Sequence, residues 1–260
     1  MDGTGASRES PGIGGGRTVL AADDNDTNRM VIQHMLASLG FSALIARDGV
    51  EALEILESPK GRAVEAVLMD CHMPLLDGFD TTRFIRARER DLGLPRCPII
   101  AVTASVGRAD EDSAKAAGMD DFVTKPVSRQ VLAETLTRWL DPETGNAGSP
   151  PSTRPPLETG QDELASIGGV ALLDQVRALY LADALERARD LGVALERNDA
   201  PAMAALAHAL KGASLSVGAT DVARPAGALE HLCRSGLTTG AEALVGAILR
   251  ALACGGSPTP

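Results

Sequence analysis

Through the first half of the chain, short apolar runs alternate with stretches whose apolar residues recur at helical spacing. Residues 18–22, 43–46, 66–69, 99–103 and 122–124 are the runs; 28–39, 50–56, 81–88, 109–117 and 128–140 carry the helical pattern. Five strands alternating with five helices predict a parallel sheet covered on both faces. Right-handed crossovers make it doubly wound. In such sheets ligands lie at the carboxyl ends of the strands.

After residue 160 the strand pattern stops. Leu172, Leu173, Val176, Leu179 and Tyr180 form one apolar stripe, and Met203, Leu206, Leu210, Ala213 and Val217 form another. These predict an antiparallel helix bundle, so the chain is α/β plus all-α. Between the halves, residues 141–160 hold Pro142, Pro150, Pro151, Pro155 and Pro156 among Gly, Ser, Thr and Asn. That composition breaks both helix and strand, and at roughly 3 Å per residue it spans up to about 60 Å. The expected organisation is a disordered arm at 1–16, a first domain at 17–140, a linker at 141–160, a second domain at 161–254 and a disordered tail at 255–260.

Composition narrows the function classes. The formal net charge is -10 and neither half is basic, which disfavours nucleic acid as a partner. No run of 18 apolar residues occurs, and the Gly-rich start resembles neither a signal nor a transit peptide, so no membrane segment is expected in this chain. Cys71, Cys97, Cys233 and Cys254 are too far apart for a zinc site or a disulfide framework. A soluble, cytoplasmic protein is the expectation.

Polar residues end four of the five strand runs: Asp23 and Asp24 after the first, Asp70 after the third, Thr103 on the fourth and Lys125 after the fifth. Crowded carboxylates raise one another's pKa unless a cation sits among them, and oxygen ligands suit Mg²⁺. Asp23, Asp24 and Asp70 are therefore expected to hold Mg²⁺. Asp70 is the expected nucleophile for a phosphoryl group, with Thr103 and Lys125 neutralising its oxygens. Pro74 and Gly78 shape the loop beside Asp70, and Lys125-Pro126 is a candidate cis bond. Asp26 and Asp48 read as ordinary loop or cap residues.

In the second half, Ala207-His208-Ala209-Leu210-Lys211-Gly212-Ala213-Ser214 lies on a helix. The stripe from Met203 to Val217 points about 180° away from His208 at 100° per residue, which predicts a solvent-facing imidazole among small residues. A neutral imidazole is nucleophilic near pH 7, and Lys211 at i+3 can stabilise phosphoryl charge. Gly212 costs about 1 kcal/mol of helix propensity relative to Ala, consistent with an open approach to the ring. His34 and His231 lack a following Lys-Gly and receive no such role.

Residues 17–140, with the acidic pair, Asp70 and its following Met73-Pro74 and Asp77-Gly78, Thr103-Ala104 and Lys125-Pro126, resemble a response-regulator receiver domain. That resemblance implies a flavodoxin-like sheet in order 2-1-3-4-5, a metal contact from the backbone carbonyl of His72, and a switch formed by Thr103 and Phe122. It also implies that His72 and Ser105 tune acyl phosphate lifetime. Residues 161–254, through His208, Leu210, Lys211, Gly212, Ser214 and Gly218-Ala219, resemble a histidine phosphotransfer (HPt) domain. Together the resemblances imply a multistep phosphorelay. A histidine kinase is the phosphodonor, Asp70 and His208 are phosphorylated in turn, and a downstream response regulator is the acceptor. Receiver and HPt can also dock within one chain.

No ATP-binding boxes appear, so ATP-dependent autophosphorylation is not expected, and the chain reads as free-standing or as part of a hybrid kinase. Two alternatives stay open. One is a phosphorylation-dependent protein-protein switch or phosphate sink. The other is an aspartate-nucleophile phosphatase, since Asp24-Asn25-Asp26-Thr27-Asn28 nearly fits D-x-D-x-[TV].

Overall fold

The computed structural model describes residues 12–104, 108–141 and 160–254. Ser105, most of the proline-rich linker and the 255–260 tail lie outside the described residues. Five strands, β1 (Thr18–Ala22), β2 (Ser42–Ala46), β3 (Val64–Asp70), β4 (Ile99–Thr103) and β5 (Asp121–Thr124), pair in parallel in the order β2-β1-β3-β4-β5. The expected topology is the observed one. Helices α1 (Asp26–Ser38), α2 (Gly49–Glu57), α3 (Gly78–Leu92), α4 (Arg108–Ala117) and α5 (Arg129–Leu140) form the crossovers.

A parallel sheet buried on both faces needs near-continuous apolar strands, and all five residues of β4 are buried. One face packs with α1 and α5 through Val31, Leu36, Leu132 and Leu136, and the other with α2, α3 and α4 through Ala52, Ile85 and Ala114. Side-chain caps set several helix starts. Asn25 accepts from the Asn28 N–H before α1, and Asp77 accepts from the Asp80 N–H before α3. Each cap lies just past a strand, so the strand ends and helix starts converge on one rim.

Residues 12–16 depart from the expected disordered arm. The Gly14 and Gly16 N–H groups donate to the Leu39 and Gly40 carbonyls at 2.9 Å each, and a Cβ on Gly12 would lie 2.5 Å from the Leu39 oxygen. These glycines permit close backbone packing, where their composition alone suggested disorder. Arg17 then pairs with Asp141 at 2.8 Å, tying the start of β1 to the end of α5.

The helical half consists of α6 (Gly160–Glu196), broken at Gly169 where φ is 68°, then α7 (Ala200–Ser216), α8 (Thr220–Arg234) and α9 (Ala241–Ala253). Short turns join successive helices, so neighbours run antiparallel. Contacts of α6 with α7 and α9, of α7 with α8 and of α8 with α9 close the bundle. Its core holds Leu172, Val176, Tyr180, Met203, Leu210, Val217, Leu229 and Ile248, which includes members of both expected stripes. Helix α1 lies against α6 and α7, and the apolar cluster on the α1 face of the sheet continues into the bundle. No helix among the described residues is long and apolar enough to cross a membrane.

Candidate functional site: an acidic pocket facing a histidine

Asp23, Asp24 and Asp70 each offer a carboxylate oxygen within 4.8 Å of the others. Asp23 and Asp70 are buried, and Lys125 reaches both, its Nζ donating to Asp23 Oδ2 at 2.7 Å and to Asp70 Oδ2 at 2.6 Å. Burial, then the Asp23 and Asp24 charges, pushes the Asp70 carboxyl up to about 7, although Lys125 pulls the other way. The Asp24 carboxyl also rises, through burial first and Asp23 second. The Lys125 ammonium is raised, because the two carboxylates outweigh its burial. Three acids around one cation leave an uncompensated negative charge, and their oxygens form a donor set suited to a hard divalent cation.

Local geometry fixes these groups. Asp70 ends β3 in register with Val102, and the Thr103 carbonyl accepts from the Lys125 N–H at 2.7 Å. The Lys125-Pro126 peptide is cis, as expected. Thr103 is buried at the end of β4, and Phe122 on β5 packs against the α2, α3 and α4 side of the sheet. A Cβ on Gly78 would stand 2.0 Å from the Asp70 carbonyl oxygen, so only glycine fits beside the acceptor strand. The His72 N–H donates to Asp70 Oδ1 at 3.3 Å.

His208 differs from its expected position in solvent. It is only 9% exposed. Its ring meets the His72 ring edge-on, with centroids 4.8 Å apart, and its Nδ1 is 2.7 Å from Glu230 Oε1 on α8. The helical wheel identified the face opposite the bundle stripe correctly; the α/β half and Glu230 occupy the space that the single-helix reading assigned to water. His208 and Asp24 line one cavity of about 510 Å³, together with His72, Pro74, Asp77, Arg187 and Arg234. His208 thus shares a cavity with Asp24 and with the loop that follows Asp70.

Glu230 is a site residue that the sequence pattern did not reveal. It is buried, and Lys211 and Arg234 lie at 3.3 and 3.1 Å from its oxygens. Burial would raise its carboxyl, but the His208 contact, followed by Lys211 and Arg234, outweighs it and holds the group at about 2. An ionised Glu230 accepts, which assigns a proton to His208 Nδ1 and makes Nε2 the nitrogen that carries the lone pair in the neutral ring. Lys211, expected to act on phosphoryl oxygens directly, has its ammonium engaged with this carboxylate.

The D-x-D-like segment does not form a second acidic centre. Asp26 sits in the first turn of α1, mostly exposed and paired with Arg29. Only Asp24 of that segment belongs to the carboxylate cluster.

Residues 19–137 match the family model of the response regulator receiver domain, and residues 175–253 match that of the Hpt domain. Sensor histidine kinase GacS of Pseudomonas protegens is 31% identical over 204 residues, covering 75% of this chain and 22% of that protein. Hybrid signal transduction histidine kinase L of Dictyostelium discoideum is 37% identical over 121 residues, 46% of this chain and 7% of its own length. The receiver domain of a Pseudomonas aeruginosa sensor histidine kinase, solved with magnesium coordinated in its active-site cleft, is 40% identical. It covers 48% of this chain and 98% of its own, with a TM-score of 0.43. The chain therefore spans less than a quarter of these two kinases. The chain thus carries a response regulator receiver domain at residues 19–137 followed by an Hpt domain at residues 175–253.

Proposed function

We propose that this chain carries out two consecutive steps of a phosphorelay, through Asp70 and then His208 of the same polypeptide. The first is phosphoryl transfer from a phosphohistidine of a histidine kinase. An Asp70 oxygen forms a bond to phosphorus as the donor P–N bond breaks, and the donor imidazole leaves. Lys125 and the Thr103 hydroxyl neutralise charge on the transferring oxygens. Asp23, Asp24, Asp70 and the His72 carbonyl hold Mg²⁺, which when bound supplies positive charge to those oxygens. Phosphorylation is read out by repacking of Thr103 and Phe122.

In the second step the Nε2 lone pair of His208 attacks the phosphorus of the acyl phosphate. The P–O bond breaks and the Asp70 carboxylate leaves. The ring gains positive charge as the P–N bond forms, and Glu230, kept ionised by Lys211 and Arg234, compensates it through the Nδ1–H. His208 then delivers the phosphoryl group to an aspartate of a downstream response regulator. Hybrid kinases among the relatives support a kinase phosphohistidine as the source.

One observation carries this reading: His208 lines the same cavity as Asp24 of the acidic cluster, with its ring against His72, two residues after Asp70. Labelled phosphodonor kinase supplied to wild type, Asp70→Asn and His208→Gln tests it, with acid-stable and base-stable phosphate followed separately. The relay requires that Asp70→Asn lose both labels and that His208→Gln keep only the first. Label on His208 in Asp70→Asn overturns the order, and label confined to Asp70 in wild type leaves the switch or sink alternative.

A further inference from the structure

Two asparagines at the start of α1, the N-cap Asn25 and Asn28 of the first turn, each face in two directions. The Asn25 N–H donates to Asp23 Oδ1 at 2.9 Å, while its side-chain oxygen accepts from the Asn28 N–H at 3.1 Å and caps the helix. That leaves the amide Nδ2, which donates to Asp183 Oδ2 of α6 at 2.7 Å. Asn28 Nδ2 donates to both Asp23 oxygens, at 3.0 and 3.2 Å, and its oxygen accepts from Ser216 Oγ of α7 at 2.7 Å. The same residues that hold Asp23 therefore contact the helical half.

Asp183 is fixed from behind, since Arg187 Nε donates to it at 2.9 Å while Arg187 Nη1 lies 4.0 Å from Asp24. Asn25 is 1% exposed, so its amide has no water to fall back on. A primary amide whose oxygen is committed to a cap can offer only its N–H outward. A carboxylate is the complementary group, and the charge-assisted bond is short as expected.

We propose that Asn25 and Asp183 form a specificity-determining pair, by which this receiver accepts an HPt surface presenting a carboxylate at that register. The Asn28–Ser216 bond supplies the second fixed point. A receiver with a carboxylate or an apolar side chain at position 25 would repel Asp183 or deny it the amide donor, which is discrimination by mismatch as well as by contact. The proposal rests on the reading that Asp70 passes its phosphoryl group to His208 across this contact.

Asn25→Asp offers a clean test, because Asp caps a helix as well as Asn but places a carboxylate oxygen where the amide N–H was. The full chain is labelled at Asp70 with acetyl phosphate and Mg²⁺, the donor is removed, and the first-order rate of transfer to His208 is measured per labelled chain. Asn25→Asp should slow transfer on the order of 10- to 100-fold, the cost of buried like charges. Adding Asp183→Asn restores a donor opposite the new carboxylate and should bring the rate back to within about threefold of wild type. A wild-type rate in Asn25→Asp, or failure of Asp183→Asn to recover it, overturns the pairing and leaves the relay standing. A wild-type chain that never moves its label to His208 overturns the relay and the pairing together.

Discussion

Replacing Glu230 with glutamine keeps the shape of the side chain beside His208 and removes its charge. The Glu230 carboxyl lies at about 2 against an ordinary 4.5. At about 1.4 kcal/mol per unit, that difference amounts to on the order of 3 kcal/mol favouring the ionised form, the net after His208, Lys211 and Arg234 together offset the burial of the group. If about a third acts on the imidazole as it gains charge, Glu230→Gln loses about 1 kcal/mol of transition-state stabilisation, or roughly fivefold in rate. Rapid-quench measurement of label passing from Asp70 to His208 reads this directly. Transfer at the wild-type rate would refute a role for the carboxylate. The same residue sets a pH signature. Its folded pKa is depressed, so its stabilisation is complete above about 4.5 and is lost as pH falls through about 2. Urea denaturation across that window should show wild type losing more stability on acidification than Glu230→Gln, and parallel curves would contradict the ion-pair account.

Other substitutions probe the remaining parts of the site. A Cβ on Gly212 would meet Asn28 Nδ2 and Lys125 Cδ at 3.8 Å. Gly212→Ala should therefore transfer near the wild-type rate, while Gly212→Leu should slow transfer roughly tenfold or more by holding the halves apart; equal rates would contradict the contact. Gly78→Ala forces a Cβ against the Asp70 carbonyl and should cost about 2 to 3 kcal/mol in urea denaturation. Asp24→Asn should weaken Mg²⁺ binding roughly tenfold or more by calorimetry, and unchanged affinity would remove Asp24 from the ligand set.

The sheet was legible because the strands are short apolar runs, and the polar residues that end four of them are the site: Asp70 and Lys125 meet at 2.6 Å although 55 residues separate them. Strand order carries that convergence, so the sequence reading needed only the alternation of elements. His208 was found by its motif yet misplaced, since a helical wheel describes one helix against its own bundle and contains nothing about a second half covering the other face. Glu230 escaped for a related reason. It lies 22 residues after His208 on the next helix, and no single-helix period links the two. The turn at 12–16 was read as disorder because Gly-rich composition is equally compatible with flexibility and with backbone groups too close for a side chain.

The central claim is that phosphoryl moves from Asp70 to His208 within one polypeptide. Chains labelled at Asp70 and freed of donor should transfer label to His208 with a first-order rate constant that does not change over a hundredfold dilution, and a mixture of Asp70→Asn and His208→Gln chains should transfer far more slowly. A rate that falls in proportion to dilution, with the mixture matching wild type, would contradict transfer within the chain.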